Sequence, residues 1–356
     1  MFTKLVLLSL VGYFLCSCGE PLPIESKQAL SPVLSNGDIV GGSQLDLVSV
    51  RDHIPGSFTV QRSVYADRDR IYLGSAQGTL FLLARDRAAD FPIVQTIDLA
   101  SQITGVRGDE HRLYVVSLDG MLRVFAKGPS LRLVETVALS TFGLATVELF
   151  EGKIYVTRGQ SQLAVDKSRL YLAELNEGEV ALELDKATLR VTRTYGTTFV
   201  AGNTVVYDRS TGAEVARIPN PLEVHGFIGF PDIYVIQHDI AELVPGCCGL
   251  GITILAAPRF TKSAFIPEAG ANAVVAVKHG LLSGTEAGTV ERFDRRHKLV
   301  QRVDLPALTG HRGAEDIEIR SIWADGLDDL VFAGSSWGND ASRGPSLPSF
   351  FVLSLR

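Results

Sequence analysis

Apolar residues along this chain come in short alternating runs, punctuated by Gly, Asp, Ser and Pro, the pattern of half-buried strands joined by tight turns. One four-residue phrase recurs: a charged residue, an aliphatic, Tyr, an aliphatic. Its copies are Arg70-Ile71-Tyr72-Leu73, Arg112-Leu113-Tyr114-Val115, Lys153-Ile154-Tyr155-Val156 and Asp232-Ile233-Tyr234-Val235. The first two extend into a longer match, Tyr72 to Leu83 against Tyr114 to Phe125. Within it both Tyr and Gly repeat at 42 residues (114 − 72 and 120 − 78). A third good copy runs from Leu282 to Phe293. Each copy reads as strand, Gly-containing turn, strand, a β-hairpin. A further alternating strand follows each, at Val94 to Leu99, Val134 to Leu139 and Leu299 to Leu305. Weaker copies are placed at Phe199 to Gly202 and Val331 to Gly334.

Anchored on the second strand of each unit, the positions are 72, 114, 155, 199, 234, 282 and 332, with steps of 42, 41, 44, 35, 48 and 50 residues. A four-stranded unit with a period of roughly 40–50 residues describes a propeller blade. The predicted fold is therefore all-β: a seven-bladed β-propeller of four-stranded antiparallel blades, with six or eight blades as the alternatives in count. Arg169-Leu170-Tyr171-Leu172 is an extra copy of the phrase only 16 residues after Tyr155. It is expected to be a third strand, because four strands do not fit in that interval. The chain finishes on Phe350 to Leu355, a third strand with no fourth after it. The alternating segment Gln44 to Val50 can supply the missing outer strand and cover an open edge. Glu179 to Arg193 has mixed propensity, and its Val and Thr favour strand. Residues 44–356 are thus expected to form one propeller domain, in preference to a pair of β-sandwiches.

Ahead of it, Met1 to Leu15 has the layout of a secretory signal, with Lys4 before an apolar run from Leu5 to Leu15, too short to span a membrane comfortably. Leu15-Cys16-Ser17-Cys18 resembles a bacterial lipobox, departing from it only in Cys16 at the −2 place. The resemblance implies a signal peptide over 1–17, lipidation at Cys18 and a flexible tether over 18–43, where Pro21, Pro23 and Pro32 stand among several Ser. The alternative is a plain cleaved signal with both cysteines incidental. The expected location is the cell envelope, lipid-anchored, on the periplasmic or outer face.

Composition narrows the function. Hydrophobic residues make up 46% and charged residues 21% of 356, ordinary for a chain with a real core, which excludes a disordered chain. The formal charge of −6 argues against nucleic acid as a partner.

In the Tyr72 to Leu83 phrase, and at Val206-Tyr207-Asp208-Arg209-Ser210-Thr211-Gly212, the chain resembles bacterial PQQ-like and YVTN-type propeller repeats. With the lipobox, the resemblance implies an exported propeller lipoprotein, a group that includes a non-catalytic scaffold of outer-membrane assembly. True quinoprotein dehydrogenases carry a Trp in most repeats, whereas this chain has only Trp323 and Trp337. There is no Trp-Asp dipeptide of the WD-repeat type.

Candidate chemistry is sparse. Cys247-Cys248, flanked by Gly246 and Gly249, is expected to form a vicinal disulfide in an oxidising compartment, with a loop staple or two free thiols as the plainer alternatives. The histidines, His53, His111, His225, His238, His279, His297 and His311, fall in no metal or haem motif. His225 and His238 flank one loop and could converge there. The acidic group Glu315, Asp316, Glu318, Asp325, Asp328 and Asp329 lacks the spacing of a Ca²⁺ loop and reads as a solvated face. Gly74 to Gly78 and Gly334 to Gly338 imitate a nucleophile elbow, without the helix that elbow needs. No catalytic, cofactor-binding or metal residue is assigned and no cofactor is expected. The leading reading is a membrane-tethered, non-catalytic scaffold that binds another envelope protein or ligand. The alternative is a periplasmic enzyme or cofactor binder of quinoprotein or lactonase type with a central-channel site.

Overall fold

The computed structural model describes residues 45–51, 63–141, 143–158, 162–165, 168–174, 181–196, 203–219, 223–226, 233–238, 250–256, 261–266, 271–277, 280–285, 287–310, 318–324, 330–335 and 350–355. Among them the architecture is all-β, built of four-stranded antiparallel sheets of the propeller kind, seven in number. Strand β1 (Leu45–Arg51) comes first in the chain but belongs to the last sheet. Sheet 1 is β2 (Val64–Ala66), β3 (Arg70–Gly74), β4 (Thr79–Ala84) and β5 (Ile93–Asp98). Sheet 2 is β6 (Ile103–Gly108), β7 (Arg112–Ser117), β8 (Met121–Ala126) and β9 (Arg132–Ala138).

The next eight strands do not run in simple order. The chain forms β10 (Leu144–Phe150) and β11 (Lys153–Arg158), then β12 (Gln162–Val165) and β13 (Arg169–Glu174). It continues with β14 (Ala181–Asp185) and β15 (Val191–Tyr195), then β16 (Asn203–Asp208) and β17 (Glu214–Pro219). Sheet 3 has the order β10-β11-β14-β15 and sheet 4 the order β12-β13-β16-β17, so the two sheets interleave. This corrects the place of Arg169-Leu170-Tyr171-Leu172. It is the second strand of sheet 4, pairing Tyr171 with Ala164 on one side and Val206 on the other. Four strands indeed do not fit in 16 residues: the interval from Tyr155 to Tyr171 holds only the rest of β11, all of β12 and the start of β13. The anchor at Phe199 to Gly202 lies outside the described residues, and the second-strand role in sheet 4 belongs to Tyr171. Every copy of the Tyr phrase stands on a second strand.

Sheet 5 is β18 (Glu223–Gly226), β19 (Ile233–His238), β20 (Leu250–Ala256) and β21 (Thr261–Ile266). Sheet 6 is β22 (Ala271–Val277), β23 (Gly280–Thr285), β24 (Thr289–Phe293) and β25 (Leu299–Asp304), followed by a single helical turn, α1 (Leu305–Leu308). Sheet 7 is β26 (Ile319–Ala324), β27 (Leu330–Ser335) and β28 (Phe350–Leu355), with β1 as its fourth strand. Leu45 pairs with Leu355 and Arg51 with Phe350, the partnership expected of the terminal strands.

The first strands stand side by side in chain order: β2 meets β6, β6 meets β10, β10 meets β12 and β12 meets β18. Further on β19 meets β22, β22 meets β26, and β26 meets β2. The second and third strands of sheets 1 and 2 are covered on both faces by neighbouring sheets, which is why they read as unbroken apolar runs such as Leu80-Phe81-Leu82-Leu83, all buried. Between sheets 1 and 2, for instance, Tyr72, Leu80 and Leu82 pack on Ile103, Val106, Leu113 and Val115. Each such side chain contributes about 1.5–3 kcal/mol on burial.

The fourth strand of every sheet carries a one-residue bulge at an equivalent place. The extra residues are Val48, Val94, Val134, Thr192, Val215, Ser263 and Val300. Val48, Val94, Val134 and Val215 are exposed. A bulge twists an edge strand and breaks its ladder, so these outward edges are poor templates for pairing with another chain.

Candidate functional site

The turn between first and second strands builds the same device twice. In sheet 1, Asp67 Oδ1 accepts from the Asp69 and Arg70 amides at 3.1 and 3.0 Å, while Oδ2 accepts from the Tyr72 hydroxyl at 2.9 Å. Lys127, just past the third strand of sheet 2, donates to the same Oδ2 at 2.6 Å. In sheet 2, Asp109 Oδ1 accepts from the His111 and Arg112 amides, both at 2.8 Å, and Oδ2 from the Tyr114 hydroxyl at 3.2 Å. Lys186, just past the third strand of sheet 3, stands 2.7 Å from that Oδ2. The phrase tyrosine, a carboxylate five residues before it and a cation of the following sheet thus close each junction. Burial opposes ionisation of both aspartates, yet the lysine and amide donors, joined at Asp67 by the Tyr72 hydroxyl, outweigh it and hold both carboxyls below their usual value. Burial also pushes Tyr65, beside this cluster, up to about 12.

The junction of sheets 3 and 4 departs from the pattern, and a cavity of about 440 Å³ opens there. The turn after β10 has two residues, Glu151 and Gly152, where sheets 1 and 2 have three. Phe150 consequently stands where Asp67 and Asp109 stand, paired with Lys153. The carboxylate moves one place on, to Glu151, and reaches Arg209, the residue just past the third strand of sheet 4. The Arg209 guanidinium lies 4.8 Å over the Phe150 ring, with Nη1 3.5 Å from the Tyr155 hydroxyl. Burial raises the Tyr155 pKa despite that neighbouring cation.

The wall of the cavity comes from the outer half of sheet 3. Glu183 is buried, accepting from the Tyr195 hydroxyl at 2.7 Å and the Thr192 hydroxyl at 3.0 Å, with Lys153 Nζ 3.6 Å away. Arg193 reaches across to donate to the Arg209 and Ser210 carbonyls at 2.7 and 3.1 Å. Ser168 and Asp208 complete the lining, and Asp208 accepts from Arg169 at 3.1 Å. Hydroxyl and amide donors from Ser210 and Thr211 hold the Asp208 carboxyl far below its ordinary value. Among the described residues, three cations and three carboxylates therefore line the site with one tyrosine and two serine hydroxyls. That set can bind polar and charged groups by hydrogen bonding.

The residues singled out from sequence fare variously. Cys18, Cys247 and Cys248 lie outside the described residues, as do the tether, His53, His279, His311 and all of the acidic group except Glu318. His225 and His238 stand apart in the backbone register. His225 stands opposite Tyr234, and His238 is four residues further along the same strand, about 13 Å away at strand spacing. Among the described residues no group of three His, Cys, Asp or Glu is placed to hold a metal ion. Gly74 to Gly78 is a hairpin turn, in which Ser75 Oγ accepts from the Thr79 amide at 3.0 Å. The charged cluster at sheets 3 and 4 was not singled out in sequence. Its one legible signal is the cation just past successive third strands, Arg85, Lys127, Lys186 and Arg209.

Neither a protein-family model nor a curated protein sequence matches the chain. Solved structures do. The computationally designed Ika8 protein is similar with a TM-score of 0.57 and 11% identity, over 87% of this chain and 99% of that one. Raptor of Chaetomium thermophilum is similar with a TM-score of 0.63 and 12% identity, over 87% of this chain but only 29% of its own. At these identities the likeness is one of fold.

Proposed function

We infer that this chain is a seven-bladed propeller, closed into a ring by β1, that hangs from a membrane by a lipidated Cys18 and serves as a non-catalytic scaffold for another envelope protein. The single observation that carries the scaffold reading is the use of charge at successive sheet junctions. Asp67 with Lys127 and Asp109 with Lys186 join one sheet to the next, so these ionisable groups are engaged in rigidity. A rigid body that presents turns at regular angular steps suits partner binding. The ring is supported by the chain-order succession of sheet contacts that leads from β26 back to β2. The anchor is supported by the sequence alone, through the lipobox resemblance.

Two experiments test this. Fatty-acid labelling of cells is expected for the wild type and lost in Cys18→Ala, and equal labelling of both removes the anchor. Affinity capture from solubilised native membranes, after cross-linking, is expected to bring down an envelope protein in stoichiometric amount. A tightly bound small cofactor in native mass spectrometry, with no protein partner, overturns the scaffold.

A further inference from the structure

Resting on the scaffold reading, we propose that the cavity between sheets 3 and 4 is a docking site for a carboxylate of an acidic partner segment, with Arg209 as its anchor and Glu151 as the group displaced. The comparison among junctions carries this. Asp67 and Asp109 are each gripped by two backbone amides, a tyrosine and a lysine, with side chains 25% and 22% exposed. Among the described residues Glu151 bonds to Arg209 alone, and its side chain is 56% exposed. The turn also disfavours it. Glu151 and Gly152 have φ of +43° and +75°, the two-residue hairpin turn that prefers Asn, Asp or Gly at its first place. Glu at that position supplies a loosely held carboxylate to a firmly held guanidinium.

Arg209 is pre-organised. Phe150 backs its plane, its amide donates to the Ser168 carbonyl at 3.0 Å, and Arg193 holds its carbonyl. A planar guanidinium fixed in this way recognises carboxylates in a two-pronged manner. Among the described lining residues, swinging Glu151 outward removes one of three carboxylates and leaves its place beside Arg209 to an incoming acid. The volume of about 440 Å³ has room for one acidic side chain and its neighbours. Lys153 lines the same space and adds a second donor.

The test uses the full chain and three probes: a blocked peptide of alternating aspartate and glutamate, the same peptide with asparagine and glutamine, and inorganic phosphate. Titration calorimetry is expected to show binding of the acidic peptide only. Removing the competing carboxylate in Glu151→Gln should tighten binding by roughly threefold to fivefold. Arg209→Gln should abolish binding while thermal unfolding stays cooperative. Equal binding of both peptides, binding of phosphate alone, or no tightening in Glu151→Gln overturns the site. Used as baits on native membranes, the same variants separate the two readings. A partner captured equally by wild type and Arg209→Gln overturns this site and leaves the scaffold. Peptide binding in the expected order with no captured partner overturns the scaffold and leaves the site.

Discussion

The side-chain amide of Gln301 brackets the backbone of Leu45, with Oε1 accepting from its N–H and Nε2 donating to its C=O, both at 2.7 Å. Gln301 directly follows the bulge in the outer strand of sheet 6, and Leu45 opens the outer strand of sheet 7. Gln95, at the same place in sheet 1, grips Leu131 just before the outer strand of sheet 2 in the same way, at 2.7 and 3.1 Å. The N-terminal strand is thus received by its neighbour as an ordinary outer strand is.

Cutting that link should loosen the N-terminal strand first. Gln301→Leu leaves both Leu45 backbone groups without their side-chain partners, a loss of about 2 kcal/mol. Hydrogen exchange should rise in β1 and β28 before it rises elsewhere. Removing residues through Arg51 exposes the whole β28 edge, and size-exclusion chromatography should then show association.

Lys127→Met should destabilise the chain by about 2 kcal/mol, because it leaves the partly buried Asp67 without its counter-charge. Denaturation in urea measures this. Adding Asp67→Asn to Lys127→Met should recover part of the loss, and a double variant no better than the single one removes the coupling between sheets 1 and 2.

Stability should fall at both ends of the pH scale for different groups. In Asp67, Asp109 and Asp119 burial opposes ionisation, and the cations Lys127, Lys186 and Arg123 with their hydrogen-bond partners outweigh it. Their folded pKa values are lowered, so the stability they add is full above the unfolded value of about 4 and is lost as pH falls through the folded ones. Burial raises Tyr65, Tyr72 and Tyr114. Their contribution is full below about 10, the unfolded value, and drains away as pH rises toward the folded values. Urea midpoints against pH, with tyrosinate absorbance on the alkaline limb, check both; tyrosines that all ionise near 10 in the folded protein would contradict the second.

Gly284→Ala should cost about 1–3 kcal/mol by overpacking. A Cβ there would lie 2.4 Å from Ile319 Cγ2 and 3.1 Å from the Ile319 carbonyl, at the approach of sheet 7 to sheet 6. Gly74 meets Ile103 in the same manner between sheets 1 and 2, so Gly74→Ala should cost a similar amount. Thermal melts of the two variants test the equivalence.

The repeated tyrosine marks the second strands at Tyr72, Tyr114 and Tyr155, where its neighbours are buried on both faces, whereas at Tyr171 the spacing argues for a third strand in place of the second strand observed. The terminal pairing was equally legible: Phe350 to Leu355 needed an outer partner, and the alternating run from Leu45 was the one unassigned strand near a chain end. Spacing failed between Tyr155 and Tyr234, since counting residues assumes that four strands of a sheet follow one another. Nothing local to Ala181–Asp185 says that it pairs with β11 and skips the nearer β13; only long-range packing decides that. The cavity residues were hidden for the same reason, as Glu183 and Arg193 face Arg209 only after the interleaving. Asp67 and Asp109, each five residues before its tyrosine, were visible in the repeat, but their lysine partners come from the next sheet and carry no local signature.

The interleaving of β10–β17 also changes what counts as a unit. In sheets 1 and 2 a contiguous stretch of chain can be excised with one sheet in it. Between Leu144 and Pro219 no single excision does so: removing β12 to β15 takes half of each sheet, and any shorter cut strands a half-sheet without its complement. Sheets 3 and 4 are therefore linked like the two loops of a clasp, and a deletion can remove them cleanly only as a pair.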